Sequence, residues 1–257
     1  MNRQTPDARS RLAVALDLPD GAALLAMARR VAPEAGILKL GLEAFVAEGP
    51  SLVRSLAGSG AGVFLDLKLH DIPNTVARAA AAAVATGASI VNCHAAGGTE
   101  MMKAFGEGAR AAAARAGLPS PKLIAVTILT SLDAAAVRAV GLEGSPCEAA
   151  LRLAILAKKS GLDGVVCSPA EIETIRAACG KDFFLVVPGV RPKGAAAGDQ
   201  KRLATPEEAI RAGADLLVLG RPITGAKDPA AAARAIVAEI AGALARRVLR
   251  TRAGKAR

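Results

Sequence analysis

The segment with the clearest structural pattern is Val63-Phe64-Leu65-Asp66-Leu67-Lys68-Leu69-His70-Asp71-Ile72-Pro73-Asn74-Thr75. On a strand, alternate side chains share a face, so Asp66 and Lys68 point the same way as Phe64, and the intervening leucines point the other way. Apolar residues on both faces are typical of a parallel strand covered by helices. A carboxylate and an ammonium group on one buried face need a partner or a function.

The residues after this strand predict a turn into a helix. Asp71 lies in the loop, and Pro73 has the fixed φ angle that suits a first helical position. The alanine-rich run from Ala77 to Ala85 then continues as a helix until Gly87. The charged residues therefore lie where a strand gives way to a helix.

Seven further apolar runs alternate with helical patterns, at residues 12–17, 37–41, 89–94, 123–129, 164–167, 184–188 and 216–220. The first helix is expected to reach Val31, and the second to run from Phe45 to Leu56. Eight strand–helix units in 257 residues predict a single-domain α/β protein, a (β/α)8 TIM barrel. A doubly wound open sheet is the alternative, but its dinucleotide-binding form needs GxGxxG after the first strand, and residues 17–21 lack it.

The barrel domain is predicted to cover residues 11–245. Residues 1–10 and 246–257 are polar or basic and are predicted to be poorly ordered terminal segments. No apolar run is long enough to cross a bilayer, and the N-terminus lacks the apolar core of a signal peptide. We therefore expect a cytoplasmic protein without membrane contact.

The net charge of +10 is compatible with a nucleic acid, a small anionic substrate or a compositional bias towards Arg. Much of the excess lies in a terminal cluster, Arg246, Arg247, Arg250, Arg252, Lys255 and Arg257. With no Trp, no Tyr and five Phe, the chain offers almost no surface for stacking bases, so no nucleic-acid partner is expected. The four cysteines and two histidines show no metal-ligand spacing, which favours reduced structural thiols and no metal site.

Four charged residues lie at or near the carboxyl ends of predicted strands, where barrel enzymes form their active sites. They are Asp17, Lys39, Asp66 and Lys68. Each alternates with large aliphatic residues that face the helices, so all four are expected to point into the barrel mouth. They could form a structural ion-pair network. As an active site, they suit electrostatic chemistry that repels an anion and protonates a carbanion.

The last two strands end in similar turns, Pro188-Gly189-Val190-Arg191 and Gly220-Arg221-Pro222-Ile223-Thr224. Glycines, backbone amides and an arginine at this place in a barrel favour phosphate binding, although one such turn alone could be an ordinary loop. Residues 194–200 are small and could form a lid or an idle surface loop. His70 is expected to have a structural hydrogen-bonding role, whereas His94 could line the mouth or not.

Asp66, Lys68 and Asp71 form a D-x-K-x-x-D motif that continues as His70-Asp71-Ile72-Pro73-Asn74-Thr75. With this continuation, the chain resembles the orotidine 5′-phosphate decarboxylase family. The short motif alone is shared with 3-keto-L-gulonate 6-phosphate decarboxylase and hexulose phosphate synthase. The later blocks that support the resemblance are residues 129–131, 163–168, 188–191 and 220–224. It covers roughly residues 11–229, with one mild departure where Val187 replaces the family's usual Thr.

The resemblance implies a cofactor-free decarboxylation of orotidine 5′-phosphate to uridine 5′-phosphate. Lys68 would deliver a proton to C6 of the pyrimidine, and Asp66 would lie beside the departing carboxylate. Lys39 would bridge the carboxylates and the ribose hydroxyls. The implied substrate-binding residues are Asp17 at the ribose, Thr130 and Ser131 at the pyrimidine, Arg191, Gln200, Gly220 and Arg221 at the phosphate, and Pro188.

The resemblance also implies a homodimer, because Asp71 and Thr75 would belong to the partner subunit's site. Two other hypotheses remain open at this point. One is a metal-dependent sugar-phosphate lyase or aldolase with the same barrel. The other is a nucleic-acid binder, which only the charge favours.

Overall fold

The computed structural model describes residues 7–192 and 204–255, with side chains as far as residue 246. Eight parallel strands close into a barrel in chain order, with β8 paired to β1. They are Leu12–Ala15 (β1), Ile37–Leu40 (β2), Gly62–Leu69 (β3), Ile90–His94 (β4), Lys122–Val126 (β5), Gly164–Val166 (β6), Phe184–Val187 (β7) and Leu216–Leu219 (β8). The (β/α)8 TIM barrel prediction is therefore confirmed, and each predicted apolar run overlaps one strand, with β3 and β5 beginning one residue earlier than predicted.

The α-helices described surround this barrel. They are Gly21–Val31 (α1), Leu42–Glu48 (α2), Pro50–Ala57 (α3), Pro73–Val84 (α4), Gly98–Ala116 (α5), Ala134–Ala139 (α6), Pro146–Lys159 (α7), Ile172–Cys179 (α8), Pro206–Ala212 (α9), Arg221–Thr224 (α10) and Pro229–Lys255 (α11). None of the described helices is long and apolar enough to span a membrane.

Strand alternation divides the core into two layers. Phe64, Ile124 and Val186 belong to a buried cluster inside the barrel. Their strand neighbours Leu65 and Leu123 belong to the larger cluster between barrel and helices. Because the interior of the barrel is packed with apolar side chains, the charged residues above Phe64 are confined to the carboxyl end.

The predicted helix from Phe45 to Leu56 is wrong in one respect, because the structure has two helices there, α2 and α3. Gly49 between them has φ of 69° and a backbone amide bonded to the Phe45 carbonyl. A positive φ angle ends the first helix, and the fixed φ of Pro50 starts the second. The helix after β3 also ends at Val84, a little before the predicted Gly87.

The chain near the predicted domain boundaries is regular where it is described. A short 3-10 helix covers Ala8–Arg11, and the side chain of Arg9 donates to the carbonyls of Ala32 and Ala35. Helix α11 continues past residue 245 to Lys255. The boundaries at 11 and 245 stay a prediction.

All four cysteines lie in the described part of the chain as thiols rather than disulfides. Cys93, Cys167 and Cys179 are buried. Burial raises the pKa of the Cys93 thiol to about 12 and also raises the pKa of Cys167. These thiols therefore behave as small apolar core residues, in agreement with the structural role that we predicted.

Candidate active site

A cavity of about 420 Å³ lies at the carboxyl ends of the strands. Apolar side chains such as Val126, Val166 and Val218 form part of its wall. The predicted site residues that line it are Asp17, Lys39, Asp66, Lys68, Thr130, Pro188, Arg191, Gly220 and Arg221. Charged side chains therefore line the mouth of the barrel together with apolar side chains.

The four charged residues predicted to share the mouth form one continuous chain of alternating sign. Lys39 Nζ lies 3.1 Å from Asp17 Oδ1 and 3.6 Å from Asp66 Oδ2. Lys68 Nζ lies 2.8 Å from Asp66 Oδ1. Asp66 thus contacts two ammonium groups, while the Asp17 side chain is 60% exposed at the outer end.

Strand register explains why these side chains meet. Lys39 is paired with Ala15 on β1 and with Phe64 on β3, and both of these residues belong to the interior cluster. Lys39 therefore points inward at the level of Phe64. Asp66 lies two residues beyond Phe64 on the same face of β3, one level closer to the mouth.

The end of β3 is irregular. The pairing of β3 with β4 runs from Leu65–Val91 to Leu69–Cys93, so residues 66–68 stand opposite Asn92 alone. Within this bulge Lys68 has φ of 52°, which makes it the only non-glycine residue with positive φ in the described ranges. Strand alternation predicted the direction of the Lys68 side chain, but it did not predict this backbone conformation.

Asn92 is a site residue that the sequence analysis missed. It is 1% exposed, and its Nδ2 donates to Asp66 Oδ1 at 2.7 Å. Its Oδ1 accepts a hydrogen bond from the backbone N–H of Lys68 at 2.8 Å. A polar residue in the middle of an apolar strand was the available signal, and its inward direction follows from the buried cluster residues Ile90 and Ile124 beside it.

The surroundings of Asp66 favour its ionised form. Burial opposes ionisation, but the charges of Lys39 and then Lys68, with hydrogen bonds from Lys68 and Asn92, outweigh it. The pKa of Asp66 is therefore lowered below its ordinary value. A carboxylate that stays charged in a nearly buried position can repel a second anion placed beside it.

The rings of His94 and His70 lie close together, with centroids 5.5 Å apart. Burial, and then the charges of His70 and Lys68, lower the pKa of His94, while Asp66 acts in the opposite direction. Neither histidine lines the cavity of the described chain. The hydrogen-bonding role expected of His70 stays a prediction.

The two predicted phosphate turns lie on one side of the cavity. Gly220 precedes α10, and Arg221 is the first residue of that helix. Burial, and then the charge of Arg221, lower the pKa of Arg191, which indicates that the two guanidinium groups are close. Two cations at the mouth of β7 and β8 favour a dianionic ligand such as phosphate.

Other predicted residues are not brought into the cavity of this chain. Asp71 is exposed, and its Oδ1 accepts a hydrogen bond from the Ile72 amide at 2.6 Å. Thr75 lies in the first turn of α4, and Ser131 is exposed. Gln200 and the predicted lid at 194–200 lie outside the described residues.

In the part of the chain that is described, no group of three potential ligands lies close enough together to hold a metal ion.

The sequence of the chain was compared with protein families and with known proteins. The family model described as "Orotidine 5'-phosphate decarboxylase / HUMPS family" matches residues 10–236. The orotidine 5′-phosphate decarboxylase of Anaeromyxobacter sp. (strain K) is 59% identical over 89% of this chain and 97% of that protein. The Moorella thermoacetica protein of the same name is 54% identical over 91% of this chain and 93% of its own length.

Solved structures similar to this chain include a protein with the same name as these relatives. The crystal structure of orotidine 5′-phosphate decarboxylase from Lactobacillus acidophilus has a TM-score of 0.81 and 39% identity to this chain. The match covers 90% of this chain and 99% of that one. Family model, sequence identity and fold agree over most of the length, and the chain belongs to the orotidine 5′-phosphate decarboxylase / HUMPS family.

Proposed function

We propose that this chain is a carboxy-lyase that converts orotidine 5′-phosphate to uridine 5′-phosphate in pyrimidine biosynthesis, without a metal or organic cofactor. The observation that carries the proposal is the alternating chain Asp17–Lys39–Asp66–Lys68 in a cavity that also contains Arg191 and Arg221. The relatives named orotidine 5′-phosphate decarboxylase support the choice of substrate.

The substrate would bind with its phosphate at the arginines and its pyrimidine over the apolar wall. Arg191, Arg221 and the Gly220 backbone would hold the phosphate, and the family resemblance implies the same role for Gln200 and a substrate-binding role for Pro188. Asp17 and Lys39 would contact the ribose hydroxyls. Thr130 lines the same cavity, and with Ser131 it would contact the pyrimidine.

The reaction would take place beside Asp66 and Lys68. The bond between C6 and the carboxylate breaks, carbon dioxide leaves, and the electron pair stays on C6 as a carbanion. Lys68 Nζ then gives a proton to C6, and the amine recovers a proton from solvent. Repulsion between Asp66 and the substrate carboxylate disappears as neutral carbon dioxide forms, while the ammonium groups stabilise the negative charge that remains.

The energetics explain why the phosphate site belongs to the mechanism. A carbanion at C6 is poorly delocalised, so the enzyme must lower the barrier by about 20 kcal/mol, near the upper end of the range for enzymes. No single contact in the cavity supplies that amount. Binding energy from the phosphate, far from the reacting carbon, can hold the charged site in the arrangement that the transition state requires.

We also propose that the active form is a homodimer in which Asp71 and Thr75 complete the partner's site. Neither residue lines the cavity of its own chain, and Asp71 is exposed. Ile72 beside Asp71 is 66% exposed, and Leu42 and Val46 on α2, the helix that follows the neighbouring strand β2, are 50% and 81% exposed. Burying such side chains against a second copy would stabilise a dimer. We expect the enzyme to act in the cytoplasm.

The test is the loss of orotidine 5′-phosphate absorbance on addition of the purified protein in the presence of EDTA. Full activity after chelation is expected. A protein that fails to consume this substrate, but acts on a keto-sugar phosphate when Mg²⁺ is added, would be a sugar-phosphate lyase instead.

A further inference from the structure

Asn92 bonds to both Asp66 and Lys68, which have different roles in the proposed mechanism. One side-chain amide contacts the carboxylate of Asp66 through Nδ2 and the backbone of Lys68 through Oδ1. The donor faces an acceptor and the acceptor faces a donor. The opposite orientation of the amide would lose both bonds, so the orientation follows from the contacts.

The Lys68 backbone needs such support. A residue with a side chain is disfavoured at positive φ, because Cβ approaches the following carbonyl oxygen. Conformations of this kind persist where the surrounding structure fixes them, and they concentrate at functional sites. The side chain that stands opposite the bulge and bonds to its backbone is Asn92.

We propose that Asn92 is a positioning residue for the decarboxylation: its amide holds Lys68 in the left-handed conformation and fixes Asp66, so that the Lys68 ammonium group is aimed at the reacting carbon. The reaction part of this inference rests on the proposed function. The positioning part does not, because both hydrogen bonds are contacts between residues of the chain itself.

Asn92→Asp tests the bonding pattern, because a carboxyl group has nearly the shape of the amide. When protonated, its O–H can donate to Asp66 Oδ1 and its carbonyl can accept from the Lys68 N–H. When ionised, it places a second negative charge against Asp66. The charged or titratable groups nearby are Asp66, Lys68, Lys39 on β2, and His94 and His70. The neighbouring β5 residue in register, Ile124, is apolar.

The experiment compares kcat and KM for Asn92→Asp and Asn92→Ala as the pH is lowered from about 8 to about 5. Taking the ratio of the two variants cancels the titration of His94, His70 and the substrate phosphate, which both variants share. The control is Thr86→Val, which removes a buried hydroxyl that donates to the Ala83 carbonyl without touching the site.

We expect Asn92→Ala to lower kcat by about 100-fold, as small displacements of reacting groups do, with little change in the affinity for uridine 5′-phosphate. The kcat of Asn92→Asp should rise relative to that of Asn92→Ala as the pH falls. Thr86→Val should keep the kcat of the unaltered chain. A ratio independent of pH, or an Asn92→Ala enzyme with unaltered kcat, would overturn the inference. If Asn92→Ala fails to fold, the comparison is made between Asn92→Asp and the unaltered chain.

Hydrogen exchange of the Lys68 backbone amide, followed by NMR, separates this inference from the proposed function. The amide should be protected in the unaltered chain and in Thr86→Val, and should lose protection in Asn92→Ala. Rapid exchange in the unaltered chain contradicts the positioning role, even in an active enzyme. Protection that depends on Asn92, in a protein that does not decarboxylate orotidine 5′-phosphate, leaves the positioning intact and rejects the reaction.

Discussion

Lys68 Nζ lies 2.8 Å from Asp66 Oδ1, although a single residue separates the two in the chain. In a regular strand the Cα atoms of such residues are about 7 Å apart along the strand axis. Here the close approach of the two side chains coincides with the bulge at residues 66–68. Lys39 Nζ is 3.6 Å from the other carboxylate oxygen. Because Lys39 also contacts Asp17 at 3.1 Å, the two acids and two ammonium groups balance in charge, and the excess positive charge in the cavity comes from Arg191 and Arg221.

Arg221→Ala should weaken catalysis through the phosphate. Loss of one charge-assisted hydrogen bond should lower kcat/KM for orotidine 5′-phosphate by about 10- to 100-fold. Orotidine, which lacks the phosphate, should be turned over equally by the variant and the unaltered chain. Arg54→Ala on the exposed face of α3 is the matched control. An equal loss on both substrates would argue against phosphate binding by Arg221.

Mixtures of Lys68→Ala and Asp71→Ala chains should recover activity that neither has alone. In a mixed dimer, one site combines the intact Lys68 of one chain with the intact Asp71 of the other. Random exchange of subunits in equal amounts would restore about a quarter of all sites. Steady-state rates after mixing measure this recovery. With exchange verified by mass spectrometry, an absence of recovery would reject the shared site.

The free energy of unfolding should fall as the pH is lowered below about 6.5, because of His94. Its pKa is lowered in the folded state, so the unfolded chain binds more protons in the window between the folded and unfolded pKa values. Asp66, whose pKa is also lowered, contributes stability that is present above about pH 3.9 and is lost as the pH falls through its folded pKa. Urea unfolding should show that the free energy of unfolding of His94→Asn depends less on pH than that of the unaltered chain in the pH range of His94. In the pH range of Asp66 the two proteins should show the same dependence. An unchanged dependence would contradict the assignment to His94.

Asp215→Ala should destabilise the barrel without touching the cavity. Asp215 accepts hydrogen bonds from Arg11 at 2.9 Å, from Arg176 at 2.5 Å and from the Leu185 amide at 2.9 Å. Removing the shared carboxylate takes away the counter-ion of Arg11 and Arg176, which keep only backbone carbonyl partners, at a cost of about 3 kcal/mol. Calorimetry should show a Tm lower by about 10 °C, and Asp215→Asn, which keeps one acceptor, should lose less. A Tm unchanged in Asp215→Ala would show that the pairs contribute nothing.

The strands could be predicted because each is a short apolar run bounded by polar turns, and a closed barrel is the arrangement that covers eight of them. The direction of Lys39, Asp66 and Lys68 followed from the two-residue period of a strand. The break at Gly49 was not predicted, because an apolar helical pattern continues across it from Phe45 to Leu56. The Gly49-Pro50 dipeptide was a signal for a turn, but the continuing apolar pattern was given more weight.

The interior of the site was harder to predict, because it depends on contacts between different strands. The left-handed backbone of Lys68 arises in a bulge of β3 against β4, and no local pattern marks it. Asn92 was recognisable only as a polar residue in an apolar strand, and its partners become known from the register. The roles proposed for Asp71 and Thr75 involve a second chain, so they rest on the family resemblance.

Release of carbon dioxide from orotidine 5′-phosphate labelled in its carboxyl group tests the central claim most directly, when the unaltered chain and Lys68→Ala are compared in EDTA. We predict steady release by the unaltered chain and a decrease of at least about 100- to 10,000-fold in Lys68→Ala, with uridine 5′-phosphate still bound by the variant. No release by the unaltered chain, or a Lys68→Ala rate close to that of the unaltered chain, would contradict the account.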